Sequence, residues 1–331
     1  LAQLDPTWAI TASVAFVMCV QGASGVAKDL AKMSSKSAVK LLAPTEGGGL
    51  FRWVAILTGS KNAVKGVGFL LGAALLAMLG FVAAIYAMAA VLAVILLAII
   101  MFMPSGLPKG RKGAKFSDVF SKSANVNWLS AARVFLFGAR DVWFVVGIPI
   151  YFYAVLSDGT EAGNRATFFL IGTFMAVWII LYGIVQANTP KLLRAAERSE
   201  GALIADARKW AFLLLTVPVA LTVAAVLSPA PQMWLTVTLV VGLLVFGALF
   251  AINSALHSYL ILAFTQSERV TMDVGFYYMA NAGGRLLGTV LSGLSYQVGG
   301  LPLVLGTASV MVALAAMASR RLRSEAVGQT V

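Results

Sequence analysis

Residues 127–153 read NWLSAARVFLFGARDVWFVVGIPIYFY, a run that is long and apolar enough to cross a lipid bilayer as one helix. The run nevertheless contains Arg133 and Arg140, with Asp141 next to the second arginine. A charge at the middle of a membrane span costs about 2.5 kcal/mol or more, so such a side chain is expected to face a partner or a wet cavity. Because seven residues make nearly two helical turns, the two arginines lie on one face. The pattern predicts a membrane helix that presents two cations to an anion.

The composition is that of an all-α membrane protein. Hydrophobic residues make up 60% of the chain, charged residues only 11%, and the mean hydropathy is +0.89. A soluble domain has about 25% charged residues. The net charge of +12 is explained by Lys and Arg in loops, which orient a membrane protein, and not by nucleic-acid binding, since the sequence contains no basic soluble module. The single cysteine, Cys19, excludes an internal disulfide, and one histidine makes a metal site or a catalytic triad unexpected, so we expect no metal, no cofactor and no enzymatic activity.

Apolar runs predict nine membrane spans. They run from about residue 8 into the twenties and at about 50–79, 81–102, 127–153, 166–188, 209–228, 233–262, 271–296 and 301–319. Basic residues collect near 28–40, 104–125 and 190–209 and in the C-terminal tail, whereas the turns near 80, 229–232 and 297–300 carry none. Since Lys and Arg collect in cytoplasmic loops, this alternation predicts a cytoplasmic C-terminus and places Leu1 outside.

A chain that begins outside, with three spans before its basic linker, is expected to lack three N-terminal spans. Restoring them gives six spans on each side of the linker, which resembles the architecture of the major facilitator superfamily. We therefore expect an N-terminally truncated major facilitator fold with about nine of its twelve membrane helices. The expected parts are 1–103 (helices 4–6), 104–126 (a basic cytoplasmic linker) and 127–331 (helices 7–12). The motif GFLLG at 68–72 is similar to GRLLG at 284–288, which agrees with two six-helix halves related as parallel repeats.

Further cations lie inside the other predicted spans. Lys61 and Lys65 are one turn apart near the centre of the second span, where they bind substrate or pair with acids elsewhere in the bundle. Arg140 either forms a structural pair with Asp141 or faces a ligand. Because adjacent helical residues point about 100° apart, we expect that pair to be strained and Asp141 to orient a cation on a neighbouring helix. Arg133, nearer the cytoplasmic end, either contacts substrate or contacts only headgroups.

The eighth span repeats the pattern of a polar stripe. Tyr278, Asn281 and Arg285 fall at steps of three and four residues and so share one face. The pair Gly284 and Gly288 on the same span is typical of close helix packing.

The remaining polar residues of interest are expected at a gate or in packing. Lys28 and Asp29 lie near a cytoplasmic mouth and are expected to stabilise a gate. Asn253 and His257 are one turn apart on the seventh span, and the histidine is expected to be a hydrogen-bonded packing residue more than a proton carrier.

Intramembrane cations therefore outnumber intramembrane acids, of which Asp141 is the principal one. The excess predicts an anionic ligand with more than one negative charge. Arginine offers a planar fork that suits phosphate-like oxyanions and carboxylates, and lysine adds a point charge. The expected substrate-binding residues are Lys61, Lys65, Arg133, Arg140, Tyr278, Asn281 and Arg285, and the expected coupling or gating residues are Lys28, Asp29, Asp141 and His257.

Four segments carry a resemblance to a known family. QGASGVAKDLAKMSSKSAVKLL, WVAILTGSKNAVKGVGF, FSKSANVNWLSAARVFLFGARDVWFVVGIPIY and GFYYMANAGGRLLG resemble the ArsJ family, the organoarsenical-efflux members of the major facilitator superfamily. The resemblance implies export of 1-arseno-3-phosphoglycerate across the bacterial inner membrane, which gives arsenate resistance. It also implies a pathway partner, a glyceraldehyde-3-phosphate dehydrogenase that makes the cargo from arsenate. Because this cargo has an oxyanion at each end, we expect two cationic clusters. We expect Lys61 and Lys65 at one end of the cargo and Arg140 and Arg285 at the other.

Rival functions differ in the residues that they need. Another major facilitator exporter, of a different organic phosphate or of a drug-like anion, would use the same cations. A lipid-modifying membrane enzyme would need clustered acids, histidines or a nucleophile, and the sequence shows none. A membrane scaffold or sensor would not need central cations. The energy source is open, with Asp141 as the first candidate proton carrier and His257 as the second.

Overall fold

A computed structural model describes residues 8–42, 49–102, 121, 123–228, 232–266 and 269–324, and these residues form helices with short connections. Helix α1 spans Ile10–Leu42 and α2 spans Gly49–Phe102. Helix α3, Ala124–Val142, continues through a π-helical turn, Trp143–Gly147, into α4, Ile148–Leu156. Four helices follow: α5 (Glu161–Leu192), α6 (Glu200–Leu227), α7 (Met233–Ala263) and α8 (Val270–Arg320).

The two longest helices each bend where the sequence predicts a turn. Gly80 in α2 has φ 74°, and Gly300 in α8 has φ 58°, next to the non-helical Gly299. Positive φ values of this kind suit glycine, which has no Cβ to clash with the backbone. Each bend therefore divides a helix into two segments, at 80 and at 299–300, as the alternation of apolar runs predicted.

Seven helices of the described part of the chain are long and apolar enough to cross a membrane. The last of them, Val270–Arg320, includes the bend at 299–300 and so contains two of the expected spans. The segment 49–79 is helical but is not one of the seven. The protein is thus an all-α, multi-pass membrane protein, and the total of nine spans stays a prediction.

The π-helical turn interrupts the span that carries the two arginines. It covers Trp143–Gly147, so it begins two residues after Asp141 and ends two residues before Pro149. In a regular α-helix the Pro149 ring would clash with the carbonyl group four residues earlier, which lies inside this turn. The wider π turn relieves that clash, and such turns often occur at functional sites. Pro149 is the signal for this turn in the sequence, but the turn was not predicted.

Two hydrophobic clusters form the core, and polar residues lie between them. On α3, Val126 and Leu129 belong to one cluster, and the other begins at Leu136. Arg133 lies between these two groups on the same helix. On α7 the change of cluster falls between Ala251 and Ile252, next to several buried polar residues. The fold therefore places a polar layer across the middle of an apolar bundle.

The starts of α3 and α6 meet the C-terminal tail at one end of this bundle. Asn125, at the start of α3, donates a hydrogen bond from Nδ2 to the Arg323 carbonyl (2.8 Å), and the Arg323 backbone N–H donates to Asn125 Oδ1 (2.9 Å). Arg208, near the start of α6, donates to the carbonyl of Leu322 in the same tail. The contact between these segments agrees with the alternation of Lys-rich and Arg-rich loops with uncharged turns, which predicts that these segments lie on the same side of the membrane.

The boundary between the expected linker and the second half differs slightly from the structure. The linker was expected to run to residue 126, but residues 124–126 are the first turn of α3. Ser123 caps this turn, since its side chain accepts a hydrogen bond from the Val126 backbone N–H. The remainder of the linker, apart from residues 121 and 123, lies outside the described residues, as does Leu1.

Candidate functional site

The centre of the site is a carboxylate shared by two arginines. Asp141 Oδ1 accepts hydrogen bonds from Arg140, with Nε at 2.7 Å, and Asp141 Oδ2 accepts one from Arg285 Nε on α8 at 2.8 Å. The Asp141 side chain is 1% exposed, that of Arg140 13% and that of Arg285 42%. One buried negative charge therefore faces two positive charges, and the outer arginine reaches an open space.

This arrangement confirms the expectation about Asp141 and bears on the alternatives for Arg140. Asp141 does orient a cation on a neighbouring helix, Arg285. The structure shows the pair of Arg140 with Asp141, which was one of the two alternatives for Arg140, although we expected that pair to be strained. The Cβ atoms of adjacent residues diverge, but the long arginine side chain is able to fold back to the carboxylate.

Lys65 of α2 adds a third cation to this group. It lies within electrostatic range of Arg140, Arg285 and Asp141, and also of Lys28 on α1. Its side chain is exposed and forms no hydrogen bond or ion pair with the described residues. Two positive charges therefore remain after Asp141 is counted against the two arginines and this lysine.

A cavity of about 230 Å³ lies beside this group, between α1, α2 and α8. Lys28, Lys61 and the Tyr278 side chain line it, together with the hydroxyl-bearing residues Ser35 and Thr58. Asp29, half-buried, lies within electrostatic range of Tyr278. The cavity brings two of the predicted gate or substrate lysines together with a predicted substrate residue of α8.

Arg133 lies inside the polar layer and not at the membrane surface. It is 4% exposed, and it donates from Nε to Asn281 Oδ1 (3.0 Å) and from Nη1 to Ser254 Oγ (3.1 Å). Its guanidinium carbon is 3.7 Å from the centre of the Phe137 ring, a cation–π contact. The alternative that Arg133 contacts only headgroups is therefore wrong. Within the described chain it forms no ion pair with a carboxylate.

Residues that the sequence analysis missed complete this polar layer. Ser254 Oγ is hydrogen-bonded to Tyr182 Oη (3.0 Å) and Gln186 Nε2 (3.1 Å) as well as to Arg133. Gln186 Oε1 in turn accepts a hydrogen bond from Asn62 Nδ2 on α2 at 2.6 Å. The available signal was the presence of amides and a hydroxyl inside otherwise apolar spans.

The polar stripe of α8 is confirmed, and its three residues serve three different neighbours. Tyr278 lines the cavity, Asn281 bonds to Arg133, and Arg285 bonds to Asp141. The close packing expected of Gly284 and Gly288 is confirmed as well. A Cβ atom at Gly284 would collide with the Val134 backbone of α3, and one at Gly288 would collide with that of Gly138.

The two short motifs that suggested a repeat do not share this packing. A Cβ atom at Gly68 or at Gly72 would meet no atom within 4 Å, in contrast to the crowded Gly284 and Gly288. The echo between 68–72 and 284–288 therefore gains no support from local contacts in the described part of the chain.

His257 lies in the polar layer, but not as expected. It is 1% exposed, and neither ring nitrogen has a hydrogen-bond partner among the described residues. The expectation of a hydrogen-bonded packing residue is therefore wrong. Arg133 is close enough to interact with it electrostatically. Asn253, one turn earlier, donates its own hydrogen bond to the Leu249 carbonyl at 3.0 Å.

The structure thus sorts the predicted site residues into three neighbouring groups. They are Lys65, Arg140, Asp141 and Arg285; Lys28, Asp29, Lys61 and Tyr278; and Arg133, Asn281 and His257. No group of three or more His, Cys, Asp or Glu in the described ranges is placed to hold a metal ion. Comparison of the chain with protein-family models, with curated proteins and with solved structures gives no match.

Proposed function

We propose that the chain belongs to a secondary transporter that exports an organic oxyanion across the bacterial inner membrane, with its C-terminus in the cytoplasm. The proposed architecture is that of the major facilitator superfamily. The proposed cargo is 1-arseno-3-phosphoglycerate, made by a glyceraldehyde-3-phosphate dehydrogenase, and its export would give arsenate resistance. The cargo and the family rest on the resemblance to the ArsJ family.

One observation is the main support for an anionic cargo. Asp141 is shared by Arg140 and Arg285, and Lys65 lies within range of all three. A buried charge without a counter-charge is costly, so an uncompensated set of cations inside a membrane bundle is a natural place for an anion. Arg133 adds a buried guanidinium that has hydrogen bonds but no carboxylate.

The contacts suggest a different assignment of the cationic side chains to the two ends of the cargo. The sequence placed Lys61 with Lys65 at one end. In the structure Lys65 is near Arg140 and Arg285, whereas Lys61 shares a cavity with Lys28. We infer one oxyanion subsite around Lys65, Arg140 and Arg285, and a second around Lys28 and Lys61.

The chemistry of these subsites fits binding followed by release. The Arg285 side chain is 42% exposed, so it is able to approach a ligand from the open side while Asp141 holds its inner edge. A guanidinium fork binds phosphate-like oxygens through paired N–H groups. Asp141 competes with the cargo for the same donors, which keeps the affinity moderate and allows release. In this proposal the two halves rock about the bound cargo.

Replacement of both central lysines tests this function. Lys61→Ala/Lys65→Ala in the full-length protein should abolish arsenate resistance in cells that also express the dehydrogenase, because each variant position removes charge from one subsite. Lys191→Ala is the matched control, since Lys191 is an exposed lysine at the end of α5. Immunoblots of membranes should show equal abundance of all proteins. Full resistance in the double variant would remove these lysines from the site.

A second candidate is export of another organic phosphate or of a drug-like anion through the same cations. Uptake into everted membrane vesicles separates the two cargoes. The vesicles would receive either the dehydrogenase with its substrates and radioactive arsenate, or labelled organic phosphates alone. Arsenic uptake that depends on the dehydrogenase supports the arsenic cargo, whereas uptake of the organic phosphates alone supports the second candidate.

A further inference from the structure

The two side chains of the site that are candidates to carry a proton are both held next to fixed positive charges. We propose that export is driven by the membrane potential acting on the negative cargo, and that no proton moves in the opposite direction. This inference rests on the proposed function and adds its energy source.

Asp141 is the first candidate carrier, and both of its carboxylate oxygens accept hydrogen bonds from arginines. Arg140 and Arg285 donate to its two oxygens at 2.7 Å and 2.8 Å, and Lys65 faces it from α2. A proton on this carboxylate would leave two guanidinium groups and an ammonium group without a counter-charge. The contacts therefore keep Asp141 in two ion pairs in this conformation.

His257 is the second candidate, and its surroundings oppose a positive charge. The ring is 1% exposed and has no acceptor for a ring N–H among the described residues. The charged group that interacts with the ring is the Arg133 guanidinium of α3, which itself lies close to Tyr277 of α8 and Tyr182 of α5. The two tyrosines are neutral, so the nearest charge is positive. Imidazolium beside guanidinium in a low-dielectric layer is disfavoured.

The charge of the cargo makes a coupled proton unnecessary. A phosphate monoester carries about 1.5 to 2 negative charges at neutral pH. Since the cationic side chains stay in the membrane while access alternates around them, the charge that crosses is that of the cargo. A potential of about 100 mV, negative inside, supports an accumulation ratio of about fifty-fold per net charge, which corresponds to about 2.3 kcal/mol.

Everted vesicles containing the full-length protein test the inference. The dehydrogenase outside makes the cargo from radioactive arsenate, and arsenic in the lumen is counted. In one arm, a potassium gradient with valinomycin makes the lumen positive at equal pH. In the other arm, the lumen is acidic, while equal potassium and valinomycin hold the potential at zero. Vesicles that lack the protein give the background.

The expected result is accumulation in the first arm that rises with the imposed potential, and only equilibration in the second. Accumulation driven by the acidic lumen, with release of protons to the outside, would overturn the inference and make Asp141 the carrier once the cargo takes its arginines. The proposed function fails separately: in that case arsenic uptake equals the background in both arms.

Discussion

Asp141→Asn should weaken the fold and strengthen anion binding at the same time. The replacement keeps the shape of the side chain but removes the one negative charge shared by Arg140 and Arg285. Loss of one partner from a buried pair costs about 3–5 kcal/mol, whereas an exposed pair contributes about 1 kcal/mol or less. Because the Arg285 side chain is 42% exposed, we expect a loss of about 2–4 kcal/mol in the free energy of unfolding.

The same charge opposes the cargo. A unit negative charge about 7 Å from a bound anion, in a partly wet site, raises the binding free energy by about 1–2 kcal/mol. Removal of that charge should therefore lower the dissociation constant about five- to thirty-fold. Release should slow in proportion, so turnover should fall although affinity rises.

Two measurements on purified full-length protein check these values. Thermal unfolding in detergent follows the stability, and calorimetric titration with 3-phosphoglycerate, a stable molecule with a phosphate and a carboxylate, follows the affinity. Glu197→Gln is the matched control, because Glu197 is an exposed acid of the loop after α5 and loses the same charge. A variant as stable as the wild type, with the same affinity for 3-phosphoglycerate, would refute the reasoning.

Three further predictions concern packing, charge and the tail. Gly284→Leu should disrupt the contact of α8 with the α3 backbone and prevent stable folding, whereas Gly293→Leu, at a site with open space around it, should leave thermal stability nearly unchanged. Arg133→Met should abolish transport in the vesicle assay but change the free energy of unfolding by only about 1 kcal/mol. The two lost hydrogen bonds are offset because a charged group no longer has to be buried, and a large destabilisation would contradict this. Asn125→Ala removes the two hydrogen bonds between Asn125 and Arg323 of the C-terminal tail, so limited proteolysis of the tail should become faster at an expected cost of about 1–3 kcal/mol. Cleavage at the wild-type rate would contradict a role of Asn125 in holding the tail.

Several features of the fold followed from the sequence because their causes are local. The helical spans follow from long apolar runs, and the bends at Gly80 and Gly300 follow from residues that tolerate positive φ. The polar stripe of Tyr278, Asn281 and Arg285 follows from the helical period alone. The close packing of Gly284 on α3 follows from the absence of a side chain.

Other features were missed or misjudged because they depend on distant contacts. Gln186 and Ser254 are single polar residues in apolar runs, and only the packing of α5 against α7 joins them. His257 was expected to have a hydrogen-bond partner, but the residues around its ring provide none within the described chain. The π turn before Pro149 depends on how one helix absorbs a local clash.

The sequence by itself determined that the chain is helical, that it lies in a membrane, and that cations outnumber acids inside it. These properties depend on composition and on periods of a few residues, which any short window of the chain shows. Only the tertiary structure decided which charges meet. Arg140 and Arg285 are 145 residues apart in the chain, and the contact of α3 with α8 brings both to Asp141. Electrostatic energy depends on distances in space, and those distances are set by helix packing.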